Sequence, residues 1–218
     1  MSDPLREAAE TMRAVRDRCV WTAQMTHREL VPYLVEESAE VVDAVEAGTA
    51  ADLREELGDL LWQVLFHAEI ASRSSDEPFD IDDVARGLTE KMVRRHPHVF
   101  AGDTAETPDE VLVLWNAAKA AEKRERRSVL DGVSAHMPPL AHAQKVLGRA
   151  RRVGVGPVVP APVGGDIRSE ADLGDALLAL VALAGERGWD AERALRERVR
   201  AVAADVRRAE AESGDLEE

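Results

Sequence analysis

Two runs of helical apolar spacing, Leu30 to Ala47 and Ala51 to Ser72, are joined by a short turn, and each carries acids in a segment that otherwise reads as apolar helix. No other feature of the chain constrains its fold as much. In the first run Leu30, Leu34, Val41 and Val45 keep helical spacing. Glu36, Glu37 and Glu40 share an arc of roughly 100°, because successive helical residues advance by about that angle. In the second run Leu53, Leu57, Leu60, Leu61, Val64, Leu65 and Ala68 leave only a narrow polar stripe of Asp52, Glu56, Asp59 and Gln63. Gly48 reads as a C′ glycine and Thr49 as the next N-cap, which predicts an antiparallel helical hairpin. If the acidic faces turn toward each other, the carboxylates converge.

Converging carboxylates repel one another and take up protons unless a cation neutralises them. Oxygen-only ligation favours Mg²⁺, with Mn²⁺ as a substitute, and Mg²⁺ keeps positions for water and phosphate oxygens. Charged helical faces are commonly just solvated, and nine acidic residues stand against one basic residue between Glu36 and Asp59. The repetition of a spaced acidic motif on both sides of one turn is what argues for a site.

Composition narrows the class. The chain has 218 residues, 45% of them apolar and only 4% aromatic, with few β-branched runs, so the expectation is a nearly all-helical fold without a sheet. A net charge of −14 argues against a nucleic acid polymer as partner, since such binding neutralises phosphates with Lys and Arg. Cys19 is the only cysteine, and there is no apolar run of about 18 residues, so we expect no disulfide, no membrane partner and a cytoplasmic location.

Along the chain, residues 3–18 read as an amphipathic helix, with Trp21 after it as a core anchor. Asp80 or Asp82 caps a helix that ends before Pro97 and places Lys91 and Arg95 at i,i+4. A further helix from about Thr107 sets Trp115 and Lys119 at the same spacing. Another follows over 137–152, then a stretch rich in Gly and Pro, then two final helices near 170–187 and 190–212. Asp172-Leu-Gly-Asp175 echoes Glu56-Leu-Gly-Asp59, but no Glu-Glu-x-x-Glu precedes it, and Ala201 and Asp205 stand where Lys91 and Arg95 would. The expected organisation is a catalytic helical domain over 1–130, a connecting helix over 131–152, a linker over 153–168 and an eroded second repeat over 169–218.

Taken in order, Glu36-Glu37-x-x-Glu40, Glu56-Leu-Gly-Asp59-Leu-Leu, Lys91-Met-Val-Arg-Arg-His-Pro-His-Val-Phe100 and Trp115-x-x-x-Lys119 resemble the MazG family of nucleoside triphosphate pyrophosphohydrolases. The resemblance implies an all-α helical bundle that assembles as a homodimer or higher oligomer. It also implies Mg²⁺-dependent cleavage of nucleoside triphosphates to monophosphate and pyrophosphate. Glu37, Glu40, Glu56 and Asp59 then look like metal ligands, with Glu36 beside them as a ligand through water or as the group orienting the attacking water, and Glu36 and Glu37 as the catalytic residues. Lys91, Arg95 and Lys119 look like triphosphate contacts facing the metals, and Trp115 like a nucleotide-packing wall. Where the family pattern usually reads Cys-Pro-Trp-Asp, this chain has Cys19-Val20-Trp21-Thr22. Two rival readings remain: a di-iron carboxylate bundle, which expects Glu-x-x-His motifs that this sequence lacks, and a non-catalytic helical adaptor.

Overall fold

In the computed structural model, residues 3–122, 128–155 and 167–214 are described, and every regular element among them is helical. The chain divides into two compact units, Met1–Glu122 and Lys123–Glu218.

In the first unit, α1 (Pro4–Arg18) starts at Asp3, whose carboxylate accepts from the Leu5 amide at 3.1 Å, and Pro4 fits the first position, where an N–H would have no partner within the helix. The chain then turns into a short helix, α2 (Val20–Gln24), that the apolar period does not announce. Thr22 makes the turn: it is buried, and its hydroxyl donates to the carbonyls of Val15 at 3.0 Å and Cys19 at 3.1 Å. With Thr22 inward, Trp21 faces out. It is 51% exposed and lies edge-on against Tyr33, which corrects its assignment as a core anchor.

The hairpin forms from α3 (Val31–Ala47) and α4 (Ala50–Ser72), which pack on each other. Thr49 and Asp52 form a reciprocal capping box that starts α4. Gly48 differs from expectation. Its φ of −92° is extended, not left-handed, so backbone freedom is not why glycine stands there. A Cβ at this position would lie 2.8 Å from the Ala44 Cα and 2.9 Å from its carbonyl oxygen, so the turn is too tight for any side chain. Gly48→Ala is therefore expected to cost about 1–3 kcal/mol by overpacking, read as a lowered urea midpoint at unchanged helix content. An unshifted midpoint would mean that the turn yields freely.

The core of this unit gathers Met12, Met25, Leu30, Leu65 and Phe66, with Leu61, Trp62 and Ile70 packed around them. On the same side Glu69, only 8% exposed, ties α4 to α1: Arg73 reaches it at 2.6 Å and Asp17 at 2.7 Å, and Arg13 approaches Glu69 at 3.6 Å. Then α5 (Ile81–Arg95) begins at Asp80, as expected, and ends where Pro97 opens the short α6 (Pro97–Phe100). The helix α7 (Pro108–Ala121) packs against α5.

The second unit is made of α8 (Pro139–Arg152), α9 (Glu170–Glu186) and α10 (Ala191–Gly214), and the helix expected to be a connector is one of its three packed members. Glu192 accepts from the Leu140 and Ala141 amides, both at 3.2 Å, and so caps α8 from a neighbouring helix. Most of the expected linker over 153–168 lies outside the described residues. Among the described residues, no helix is long and apolar enough to cross a membrane.

Candidate metal centre

Burying the apolar side of α4 in the core leaves Glu56, Asp59 and Gln63 at spacings of three and four residues, which stack on one face. That face meets α3. Glu37 from α3 and Glu56 and Asp59 from α4 each offer one carboxylate oxygen within 4.8 Å of the others. It is the one group of its kind found among the described residues.

The electrostatics agree with the geometry. Burial, then the charges of Asp59 and Glu40, hold the Glu37 carboxyl above its ordinary pKa. Burial, then Glu40 and Asp59, do the same to Glu56. Glu40 is thus part of the electrostatic cluster although it is solvent-exposed and outside the tight group of three. Glu36 is exposed and also lies outside that group.

These raised values make a signed prediction. A carboxyl whose folded pKa is raised stabilises the fold fully below the ordinary carboxylate range, and that contribution is lost as pH rises through the raised value. Without divalent cations, Glu56→Gln should therefore melt increasingly above the wild type as pH is raised from about 4 to about 7. Added Mg²⁺ should shrink the difference, and an equal difference at both ends of the range would contradict the repulsion.

Gln63 is the residue that sequence reasoning left without a role. It is only 4% exposed, its Nε2 donates toward Glu37 Oε1 at 3.5 Å, and its own Oε1 is buried without a hydrogen-bond partner. A buried amide aimed into an acid cluster, with an acceptor unfilled, fits a site built for a hydrated cation. The donor set is oxygen alone, which suits Mg²⁺ or Mn²⁺. His67 sits one turn beyond Gln63 and stacks on His27, Nδ1 to Nδ1 at 2.8 Å, so these histidines pair with each other.

The second group of expected residues collects around Trp115. Its indole is half-buried, edge-on to His96 with ring centres 5.0 Å apart, and carries the Arg95 guanidinium 5.1 Å from its centre. Arg95 donates through Nε and Nη2 to Glu122, with the shortest contact 2.6 Å, and only 11% of its side chain is exposed. Glu122 also meets Arg94 at 3.4 Å, and Arg95 heads the causes that lower its pKa. The contacts of Arg95 thus run to Glu122 and Trp115, not to the acids. Lys91 on α5 and Lys119 on α7 are both half-buried. Nothing in the local spacing marked Glu122 as the partner of a residue 27 positions earlier.

A hollow of about 370 Å³ between α1, α4 and α5 contains none of these residues. Its walls are mostly apolar, among them Leu5, Leu61, Val64 and Leu88, and its charged members are already engaged, Asp3 in capping α1 and Arg6 with Asp82 at 3.2 Å, so we place no reaction there. In the second unit Asp172, the counterpart of Glu56, is consumed by helix initiation. It accepts from the Arg168 amide at 2.9 Å and its own amide donates to Ser169.

A family profile described as the MazG nucleotide pyrophosphohydrolase domain matches residues 25–100, which span the acids, Lys91 and Arg95 but stop short of Trp115. The chain is 47% identical over 206 residues to an uncharacterized 26.1 kDa protein of Streptomyces cacaoi, a match covering 94% of this chain and 82% of that one. It is 48% identical over 151 residues to a nucleoside triphosphate pyrophosphohydrolase of Mycobacterium tuberculosis, covering 69% of this chain but 46% of the relative, about half its length. A nucleoside triphosphate pyrophosphohydrolase of Escherichia coli K12 is 36% identical over 216 residues, covering 89% of this chain and 81% of the relative.

Proposed function

The chain belongs to the MazG nucleotide pyrophosphohydrolase family and is an enzyme of nucleoside triphosphate hydrolysis; on that premise we propose that it cleaves NTPs or dNTPs to monophosphate and pyrophosphate with Mg²⁺. The observation that carries this reading is the convergence of Glu37, Glu56 and Asp59 within 4.8 Å on two packed helices. Glu40, whose charge acts on both glutamates, completes the proposed ligand set. When bound, Mg²⁺ or Mn²⁺ neutralises charge on the phosphoryl oxygens and acidifies a coordinated water.

The chain's own residues do the rest. Glu37 orients the attacking water from the buried end of the cluster, and Glu36 does so from its exposed flank. Lys91, Arg95 and Lys119 are proposed to hold the triphosphate and stabilise the departing pyrophosphate, Arg as a fork and Lys as a point charge. Because Glu122 occupies Nε and Nη2 of Arg95, a phosphate either meets the remaining Nη1 or displaces Glu122. Trp115 offers a flat apolar wall for the nucleotide, already stiffened by His96 and Arg95. We also propose a homodimer or higher oligomer, in which a second copy would cover exposed leucines such as Leu57 and Leu88, 49% and 51% exposed.

A panel of canonical, deaminated and oxidised NTPs and dNTPs, assayed for monophosphate and pyrophosphate with Mg²⁺, tests the reading. Release of both products in equal amounts from at least one nucleotide is expected. Orthophosphate as the primary product, or no turnover across the panel, would overturn it.

A further inference from the structure

Gln63 is 96% removed from solvent as judged by its 4% exposure, yet it fills no structural hydrogen-bond role in the core around it. The hydrogen bond of its side chain is the long donation from Nε2 to Glu37 Oε1 at 3.5 Å, and its carbonyl Oε1 is buried with no hydrogen-bond partner. An apolar residue of the same length would pack this position without leaving an acceptor unsatisfied. On α4 the next residues inward, Leu65 and Phe66, are apolar and 6% and 1% exposed, and the buried Glu69 further along is met by Arg73 and Arg13, so Gln63 stands apart in lacking a partner for its acceptor. A buried amide that is poorly satisfied by the protein alone is explained by a donor arriving from outside the chain.

We infer that Gln63 is a positioning residue of the acid cluster. Its N–H holds the Glu37 carboxylate toward Glu56 and Asp59, and its carbonyl is kept for a hydrogen bond from water that enters with a hydrated divalent cation. The inference rests on the metal reading above and extends it to a residue outside the carboxylate motifs. Gln63 acts through Glu37 and through the cation's water, and touches neither substrate nor metal.

The test is a titration of the full chain with Mn²⁺ alone, followed by calorimetry, beside thermal melts of the metal-free protein. For Gln63→Met, near-isosteric and apolar, Mn²⁺ affinity is expected to fall about 10–100-fold. The metal-free melting temperature should stay level or rise, because an unsatisfied buried oxygen has been removed. A merely structural amide gives the opposite pattern, a lowered melting temperature with wild-type affinity, and that result overturns the inference. A second comparison protects against a folding artefact: in a Glu37→Gln background, Gln63→Met should weaken residual Mn²⁺ binding less than it does in the wild type, because only the water contact is left to lose. An equal additional loss there would show that Gln63 does not act through Glu37. If the wild type itself binds no Mn²⁺, the metal reading fails; if the wild type binds and Gln63→Met binds equally, only the role of Gln63 fails.

Discussion

Asp59→Asn is expected to abolish metal-dependent pyrophosphate release, by about a thousandfold or more, while leaving the helical fold intact. The magnitude follows from the several kcal/mol that a metal site contributes to charge stabilisation, each 1.4 kcal/mol or so being tenfold in rate. Asp59 supplies one of the three converging oxygens. Its charge also raises the pKa of both Glu37 and Glu56, so the metal-free variant should melt at or above the wild-type temperature. Loss of activity together with gain of stability is the signature of a strained functional cluster. Wild-type turnover in this variant, or a collapse of its far-UV helical signal, would contradict the assignment.

Phe66→Ala should have the largest effect on stability, about 3–5 kcal/mol, set against a total of about 5–15 kcal/mol for an ordinary domain. The ring is 1% exposed, sits among Met12, Met25, Leu30 and Leu65, and carries the Arg16 guanidinium 5.6 Å from its centre. Removing it opens a cavity in the core that positions α4, and Asp59 and Glu56 stand two to three turns back along the same helix. Activity should therefore fall at temperatures where the variant is still mostly folded, and a large excess of Mg²⁺ should recover part of the lost melting temperature by binding the native state. A melting temperature within a degree or two of the wild type would show that the core closes around the gap.

Much of this architecture was readable in the sequence because it is local. The hairpin, the Thr49 and Asp80 caps, and the shared face of Glu56 and Asp59 all follow from spacings of three or four residues. What the period could not carry was long-range. Gln63 looked like one more member of a polar stripe until its burial against Glu37, 26 residues away, appeared. Glu122 and Arg95, and His27 and His67 across 40 residues, are pairings that no helical wheel encodes. Trp21 was misplaced for a different reason: the one-turn helix α2 is too short to show a period, and its inward residue is the small, hydrogen-bonded Thr22. Gly48 was found, but its cause is the Ala44 backbone 2.8 Å from where a Cβ would stand, not a left-handed turn.

Whether the acids on α3 and α4 hold a divalent cation for hydrolysis between the α and β phosphates is decided by incubating the wild-type chain with a turned-over nucleotide in water labelled with heavy oxygen, with Mg²⁺ or with a chelator, and weighing both products. No turnover is expected with chelator and, with Mg²⁺, label in the monophosphate and none in the pyrophosphate, since water attacks the α phosphorus. Turnover that persists in chelator, or label found in the pyrophosphate, would rule out a metal-held attack at the α phosphorus.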